Sequence, residues 1–309
     1  MVARVLLAVS ESQRLRNLIE RAPISRGVVD RFIAGDDIAD AVRVTNELVS
    51  AGLTATIDHL GEDTLDRAQA ERVAAAYVDL LKGLQEAGLT GSAEVSVKLS
   101  AVGQALPGDG ERIALENARE ICQAAADAGT TVTLDMEDHT TTDSTLTIAG
   151  ELREDFPTTG TVLQAYLHRT ENDCRKLSFA GSRVRLCKGA YNEPATVAYR
   201  DDADVDRSFV RCMKVLLGGE GYPMIATHDP RLIEIGGSLA ARYRREQGSY
   251  EYQMLYGVRP DEQRRLARAG ETVRVYVPYG HEWYGYMMRR LAERPANVMF
   301  FLRALASKK

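Results

Sequence analysis

Arg289 and Arg290 stand side by side in WYGYMMRRLAERP, residues 283–295, a stretch with the texture of a helix. On a helix, Tyr286, Arg289, Arg290 and Glu293 fall at i, i+3, i+4 and i+7 and share one face. Two guanidinium groups on one face suit a planar carboxylate or a phosphate, which each can grip with paired hydrogen bonds. The plainer reading is an exposed pair in surface salt bridges with Glu293, and the helix alone favours it. Two more cations sit in unusual company. Lys98 in SVKLS and Arg185 in VRL have apolar neighbours on both sides.

Something must bring such groups together, and the chain is long enough to do so. Its 309 residues suit two ordinary domains or one large α/β barrel. Apolar residues at 45% and charged residues at 27% give a normal globular balance that can bury a sizeable core. A net charge of −5 argues against a nucleic-acid-binding surface, which needs clustered Lys and Arg. Cys122, Cys174, Cys187 and Cys212 are far apart, without C-x-x-C spacing, and read as thiols in a reducing compartment. The start, MVARVLLAVSESQRLRNLIE, lacks the features of a signal peptide, and no run approaches the length of a membrane span. The expectation is a cytoplasmic protein.

The first fifty residues read as helices: SESQRLRNLIERA, then SRGVVDRFIAG ending at Gly35, then DDIADAVRVTNELVSAG ending at Gly52. Eight short β-branched runs follow, at 53–60, 93–100, 131–137, 161–167, 183–189, 223–229, 250–256 and 272–278. Helical patterns closed by glycine lie between most of them, such as ERIALENAREICQAAADAG and DEQRRLARAG. Strand and helix alternating eight times predicts a parallel (β/α)8 barrel. An open doubly wound sheet would usually carry a G-x-G-x-x-G loop, and none occurs. The expected division is an N-terminal helical arm, 1–50, and a barrel with C-terminal helices, 51–309.

A (β/α)8 barrel builds its active site from the C-terminal ends of its strands. Those ends supply Asp58 and His59, Lys98, Asp135 and Glu137, Gln164, Arg185 and Lys188, Thr227 and His228, Gln253, and Tyr276. Strands exiting into polar loops explain about half of these, but poorly explain Lys98 or Arg185. If the helix after the eighth strand caps the mouth, Arg289 and Arg290 point into it opposite Lys98, which tips the balance towards an anion site. His59, His139 and His168 lack metalloenzyme spacing, so no metal is expected.

RVRLCKGAY, MIATHD, EYQMLYGVR, RVYVPYG and WYGYMMRRLAERPANV, in this order and spacing, resemble proline dehydrogenase of the FAD-dependent, monofunctional bacterial type. TLDMED and QAYLHR add to the likeness, which covers essentially the whole chain. The resemblance implies a distorted barrel with FAD at its mouth and the last helix over it. It implies oxidation of L-proline to Δ1-pyrroline-5-carboxylate, with electrons passed to a membrane quinone and room for a peripheral contact with the inner membrane face. By similarity Asp135, Arg185 and Tyr276 are catalytic, and Lys98, Arg289 and Arg290 clamp the proline carboxylate. Arg185 would favour negative charge on the reduced flavin, and Asp135 would orient neighbouring cations. Met136, Gln164, Lys188, Gly189, Ala190, Thr227 and His228 match cofactor contacts, again with Arg185. Tyr191, Leu255 and Tyr286, with Ala190 and Tyr276, would shape the pocket around the ring.

Glu62 matches a glutamate able to pair with the first tandem arginine as a gate, against the alternative of an ordinary loop acid. Tyr276 would crowd a 4-hydroxyl and so favours proline over hydroxyproline. Cys187 departs from the family's usual Val and reads as packing. Two rivals follow from the residues alone: a lyase or aldolase using Lys98 or Lys188 as a Schiff-base amine, and a binding module without turnover.

Overall fold

The computed structural model describes residues 29–61 and 64–287. Eight strands close a barrel: β1 (Thr54–His59), β2 (Ala93–Val97), β3 (Val132–Leu134), β4 (Gly160–Gln164), β5 (Arg183–Cys187), β6 (Tyr222–Ala226), β7 (Glu251–Leu255) and β8 (Val273–Tyr279). Each strand pairs in parallel with the next, and β8 pairs in parallel with β1. The helices are α1 (Ile38–Ser50), α2 (Arg67–Glu86), α3 (Gly110–Asp127), α4 (Thr142–Asp155), α5 (Thr170–Lys176), α6 (Asp202–Gly218), α7 (Pro230–Arg242) and α8 (Pro260–Arg268). Residues 283–287 begin a further helical stretch. None of the described helices is long and apolar enough to cross a membrane.

The eight β-branched runs all become strands, most of them shorter than the runs. Residues 131–137 yield only Val132–Leu134. Asp135 still donates its N–H to Val97 O at 2.9 Å, and the chain then leaves the sheet. The strand ends set Lys98 and Asp135 one residue past β2 and β3, at the barrel mouth.

Alternation along each strand sorts side chains to two sides. Ile57, Val95, Leu134, Leu186, Ile225 and Val275 belong to the main apolar core, where they meet Leu80, Leu84, Ile121, Leu152, Phe209 and Leu216 of the surrounding helices. Each such side chain removed from water contributes about 1.5–3 kcal/mol. The residues between them, among them Asp58, Glu94, Ser96, Arg185, Glu251 and Gln253, are also buried but polar. They bond across the barrel: Arg183 and Arg185 of β5 both reach side chains of β2.

Capping fixes several helix starts. Asp66 Oδ1 accepts the Gln69 N–H at 2.8 Å, and Asp229 accepts the Arg231 N–H at 3.0 Å with Pro230 in the first turn. Asp37 stands at the N-cap of α1 without a side-chain capping bond. That helix is stitched to the barrel instead. Ala34 N–H donates to Pro278 O and Gly280 N–H to Gly35 O, each at 2.9 Å, and Ala41 and Val44 lie in the main core. Of the stretch SRGVVDRFIAG, residues 29–35 are described, and they form a single turn around the Ile33 N–H to Val29 O bond.

Candidate active site

Arg185 is the anchor of the site. It projects from β5, is 5% exposed, and spends its donors on three other strands or strand ends. Nη1 donates to Asp135 Oδ1 at 2.6 Å, Nη2 to Ser96 Oγ at 2.9 Å, and Nε to Gln253 Oε1 at 2.5 Å. Its guanidinium also lies 5.4 Å from the centre of the Tyr276 ring. The Tyr276 hydroxyl donates to the other oxygen of Asp135 at 2.7 Å. The partner of Asp135 that the sequence left unnamed is therefore Arg185, with Tyr276 on the opposite oxygen.

Burial pushes the Asp135 carboxyl up from the ordinary aspartate value, against the opposing pull of Arg185 and Lys98. Burial, reinforced by the carboxylates of Asp135 and Asp58, also holds the Tyr276 hydroxyl well above the ordinary phenol value. Tyr276 thus stays protonated and donates. Besides the ring wall expected of it from the sequence, Tyr276 commits its hydroxyl to Asp135.

Lys98 stands at the mouth as expected, but it does not stand alone. Its Nζ lies 2.7 and 2.6 Å from the two oxygens of Asp58, which has no exposed surface. The Tyr77 hydroxyl donates to Ser96 O at 2.7 Å and lies 3.4 Å from Asp58. Asp58 was legible as a strand-end acid, but its pairing with Lys98 was not.

Beneath this layer lies a second one that the sequence reading missed. Glu251 holds Arg274 on both oxygens at 2.8 and 3.1 Å, and Glu94 accepts from Arg183 at 2.6 Å and from Thr133 at 3.0 Å. Burial pushes the Glu94 carboxyl up, yet Arg183, Arg274 and Arg185 outweigh it and bring it down to about 2. The signal for this layer was present. Glu94 precedes Ser96 by two residues and Glu251 precedes Gln253 by two, so period-two alternation puts each pair on one face.

The rim carries the residues matched to a cofactor. Lys188 bonds Asp206 at 2.5 Å and lies 3.7 Å from Asp229. Gly189 has φ +116°, and a Cβ there would fall 2.4 Å from the Tyr166 ring, so only glycine passes. Ala190 is exposed and Tyr191 half-buried beside it. Gln164 donates to Glu137 O at 2.6 Å, and Met136 is buried. Glu137 itself accepts from the Ser100 N–H and hydroxyl. Thr227 Oγ1 accepts the Asp229 N–H, and His228 Nε2 accepts the Leu255 N–H at 2.9 Å, which leaves that ring nitrogen unprotonated. Glu193 pairs with His139, tying together the loops after β3 and β5.

Tyr286 packs with Leu60, Tyr284, Met287, Val29, Phe32 and Ile33, and Tyr276 lies against this cluster. The start of the last helix is thereby fastened beside β1 and β8. Arg289, Arg290, Glu293 and Glu62 lie outside the described residues. All four cysteines are free thiols, with Cys187 half-buried and the other three buried. Among the described residues there is no cluster of His, Cys, Asp and Glu able to hold a metal ion.

A family model described as proline dehydrogenase matches residues 41–303. Proline dehydrogenase 1 of Bacillus subtilis (strain 168) is 38% identical over 308 residues, covering 100% of both chains. Proline dehydrogenase of Deinococcus radiodurans is 38% identical over 98% of this chain and 97% of its own. Among solved structures, proline utilization A from Bdellovibrio bacteriovorus, inactivated by N-propargylglycine, superposes with a TM-score of 0.79 at 26% identity. That match covers 86% of this chain, which spans only 32% of the solved one. With a closed parallel barrel, a buried Arg–Asp–Tyr constellation at its mouth and end-to-end likeness of this extent, the chain belongs to the proline dehydrogenase family.

Proposed function

We propose that the chain works as a proline dehydrogenase through the constellation at its barrel mouth, with FAD as resident cofactor. The reaction takes L-proline to Δ1-pyrroline-5-carboxylate: a hydride leaves the ring carbon beside nitrogen, a proton leaves nitrogen, and a C=N bond forms. FAD, when bound, supplies the hydride acceptor. The single observation that carries the reading is the three-way fixing of Arg185 by Asp135, Ser96 and Gln253, with Lys98 at the same mouth.

The rim fits a flavin dinucleotide. Gly189 and Ala190 leave room for a close approach, Lys188 offers a cation for phosphate, and Gln164, Thr227 and His228 offer polar groups around one edge. Arg185 would favour negative charge on a reduced ring. Lys98, with Arg289 and Arg290 from the last helix, would hold the substrate carboxylate and so present the reacting carbon in one orientation. Tyr191, Leu255, Tyr276 and Tyr286 would enclose the ring, with Glu62 as a gate. Electrons would pass on to a quinone at the inner membrane face, reached by a peripheral contact from the cytoplasm. Residues 1–50 would form the arm and 51–309 the catalytic barrel.

The Schiff-base alternative loses support here. Lys98 and Lys188 each meet a carboxylate, Asp58 and Asp206, the reverse of the apolar or cation-flanked setting that frees an amine for nucleophilic attack. The test is an absorbance spectrum of the purified protein before and after anaerobic L-proline. Flavin bands that bleach with proline support the reading. A protein that stays colourless after reconstitution with FAD overturns it.

A further inference from the structure

We infer that Gln253 is a positioning residue for the reaction, a neutral two-faced coupler that holds the Arg185 guanidinium from beneath. Gln253 sits in the middle of β7 and is 3% exposed. Its Oε1 accepts Arg185 Nε–H at 2.5 Å, and its Nε2 donates to Glu251 Oε1 at 2.5 Å. The amide orientation is dictated by the neighbours, because an arginine Nε can only donate and a carboxylate held by Arg274 can only accept.

Neither a charged nor an apolar side chain of this length meets both demands. A carboxylate would face the Glu251 carboxylate at hydrogen-bond distance. A thioether or alkyl chain would leave the buried Arg185 Nε–H without an acceptor and would take from Glu251 Oε1 one of its two donors, leaving it Arg274 alone. Asparagine is one methylene short. The charges explain why neutrality matters. Arg183, Arg185 and Arg274 stand against Glu94, Asp135 and Glu251, three positive and three negative groups. Gln253 joins the Arg185–Asp135 pair at the mouth to the Arg274–Glu251 pair below without altering that balance. Arg185 therefore has one hydrogen-bonded carboxylate, Asp135, with Glu94 at 3.9 Å, and a neutral third partner in Gln253, so its plane is fixed on all three nitrogens.

The inference rests on the reading of Arg185 as the cation facing the flavin. It predicts that Gln253→Met lowers kcat about ten- to a hundredfold with the KM for proline within about threefold, the pattern of misplaced chemistry with intact binding. The midpoint potential of the bound flavin should fall as well, by about 30 mV for each tenfold change in its oxidised-to-reduced equilibrium. Combined with Arg185→Met, the Gln253→Met change should add less than about twofold, since residues acting as one unit are not additive.

Unchanged kcat and potential in Gln253→Met, or effects that multiply in the double variant, overturn the inference. If Arg185→Met alone leaves kcat and potential untouched, the assignment of Arg185 fails, and this inference with it. If Gln253→Met does not fold, Gln253→Glu decides. Its new carboxyl would face Arg185 of β5, Glu251 of β7 and Arg274 of β8, with Glu94 of β2 and Asp135 beyond. The apoprotein's melting temperature should then fall further below the parent's as pH rises, because the two facing carboxyls share a proton only at low pH. A pH-independent difference with an unchanged flavin potential overturns the inference.

Discussion

Lys98 Nζ sits between both oxygens of Asp58, at 2.7 and 2.6 Å, and the Asp58 side chain is fully buried while that of Lys98 keeps 15% of its surface. Arg185 and Asp135 form a second pair of the same kind. Each described cation inside the mouth therefore arrives already balanced by a carboxylate. Net attraction for a substrate carboxylate must come from elsewhere, and the tandem arginines Arg289 and Arg290 are the groups the sequence offers for it.

The two members of the Lys98–Asp58 pair should not be equally costly to remove. Lys98→Met strands a fully buried carboxylate with the Tyr77 hydroxyl at 3.4 Å, and should destabilise the fold by about 3–5 kcal/mol. Asp58→Asn leaves an ammonium that can turn towards water, at a cost of about 1–2 kcal/mol. The double variant should recover much of the Lys98→Met loss. Chemical denaturation of the three proteins checks this, and equal losses in the two single variants would contradict the burial asymmetry.

Arg289→Met and Arg290→Met should each raise the KM for proline about ten- to a hundredfold, the loss of one charge-assisted hydrogen-bonded contact. Flavin content should be unchanged, since the proposed clamp would meet substrate only. Both effects should exceed that of Lys98→Met, whose charge Asp58 already offsets. Steady-state kinetics with flavin quantitation measures this, and near-parental KM values in both variants would remove the arginines from the clamp.

Tyr276→Phe keeps the ring and deletes the hydroxyl that donates to Asp135. Asp135 is left with Arg185, which gains freedom to move. We expect kcat to fall about tenfold with KM little changed, from a lost hydrogen bond to a charged group worth about 1.5–3 kcal/mol. Tyr276→Ser also opens the wall, and its ratio of specificity constants should move towards hydroxyproline. If Tyr276→Phe matches the parent in kcat, the ring alone accounts for the residue.

Glu94 supplies a pH signature. Its carboxyl falls from the ordinary 4.5 to about 2, so the native state binds this proton less tightly than the unfolded chain does. The stabilisation is fully present above pH 4.5 and is lost as pH falls through about 2. A shift of that size is worth roughly 3 kcal/mol. Glu94→Gln should flatten the acid side of the stability curve by up to about 1.4 kcal/mol per pH unit between about pH 5 and 2. Urea titrations at stepped pH give the slope, and identical slopes would place the acid sensitivity in other groups.

Much of the site was readable from residue type and place. Arg185, Asp135 and Tyr276 were singled out as charged or polar groups in apolar strands or at strand ends, and they lie within hydrogen-bond or ring contact of one another. Strand number was legible too, because β-branched runs bounded by glycine-closed helices leave few other solutions. Strand ends were less so. Hydrophobic pattern continues past the last ladder bond, whereas the strand ends at Leu134 within a run that extends to residue 137.

What the sequence by itself determined is which residues share a face, for strand alternation places Glu94 with Ser96 and Glu251 with Gln253 whatever sheet the strands join. Only closure of the barrel decided who meets whom. Arg185 finds Ser96 and Gln253, 89 residues before it and 68 after, and Tyr276 finds Asp135 across 141. Those meetings depend on the stagger of eight strands and on their heights along one axis, quantities set by the joint packing of the whole sheet and its helices. No local pattern carries them, and they turn a set of suitable residues into one balanced charge network.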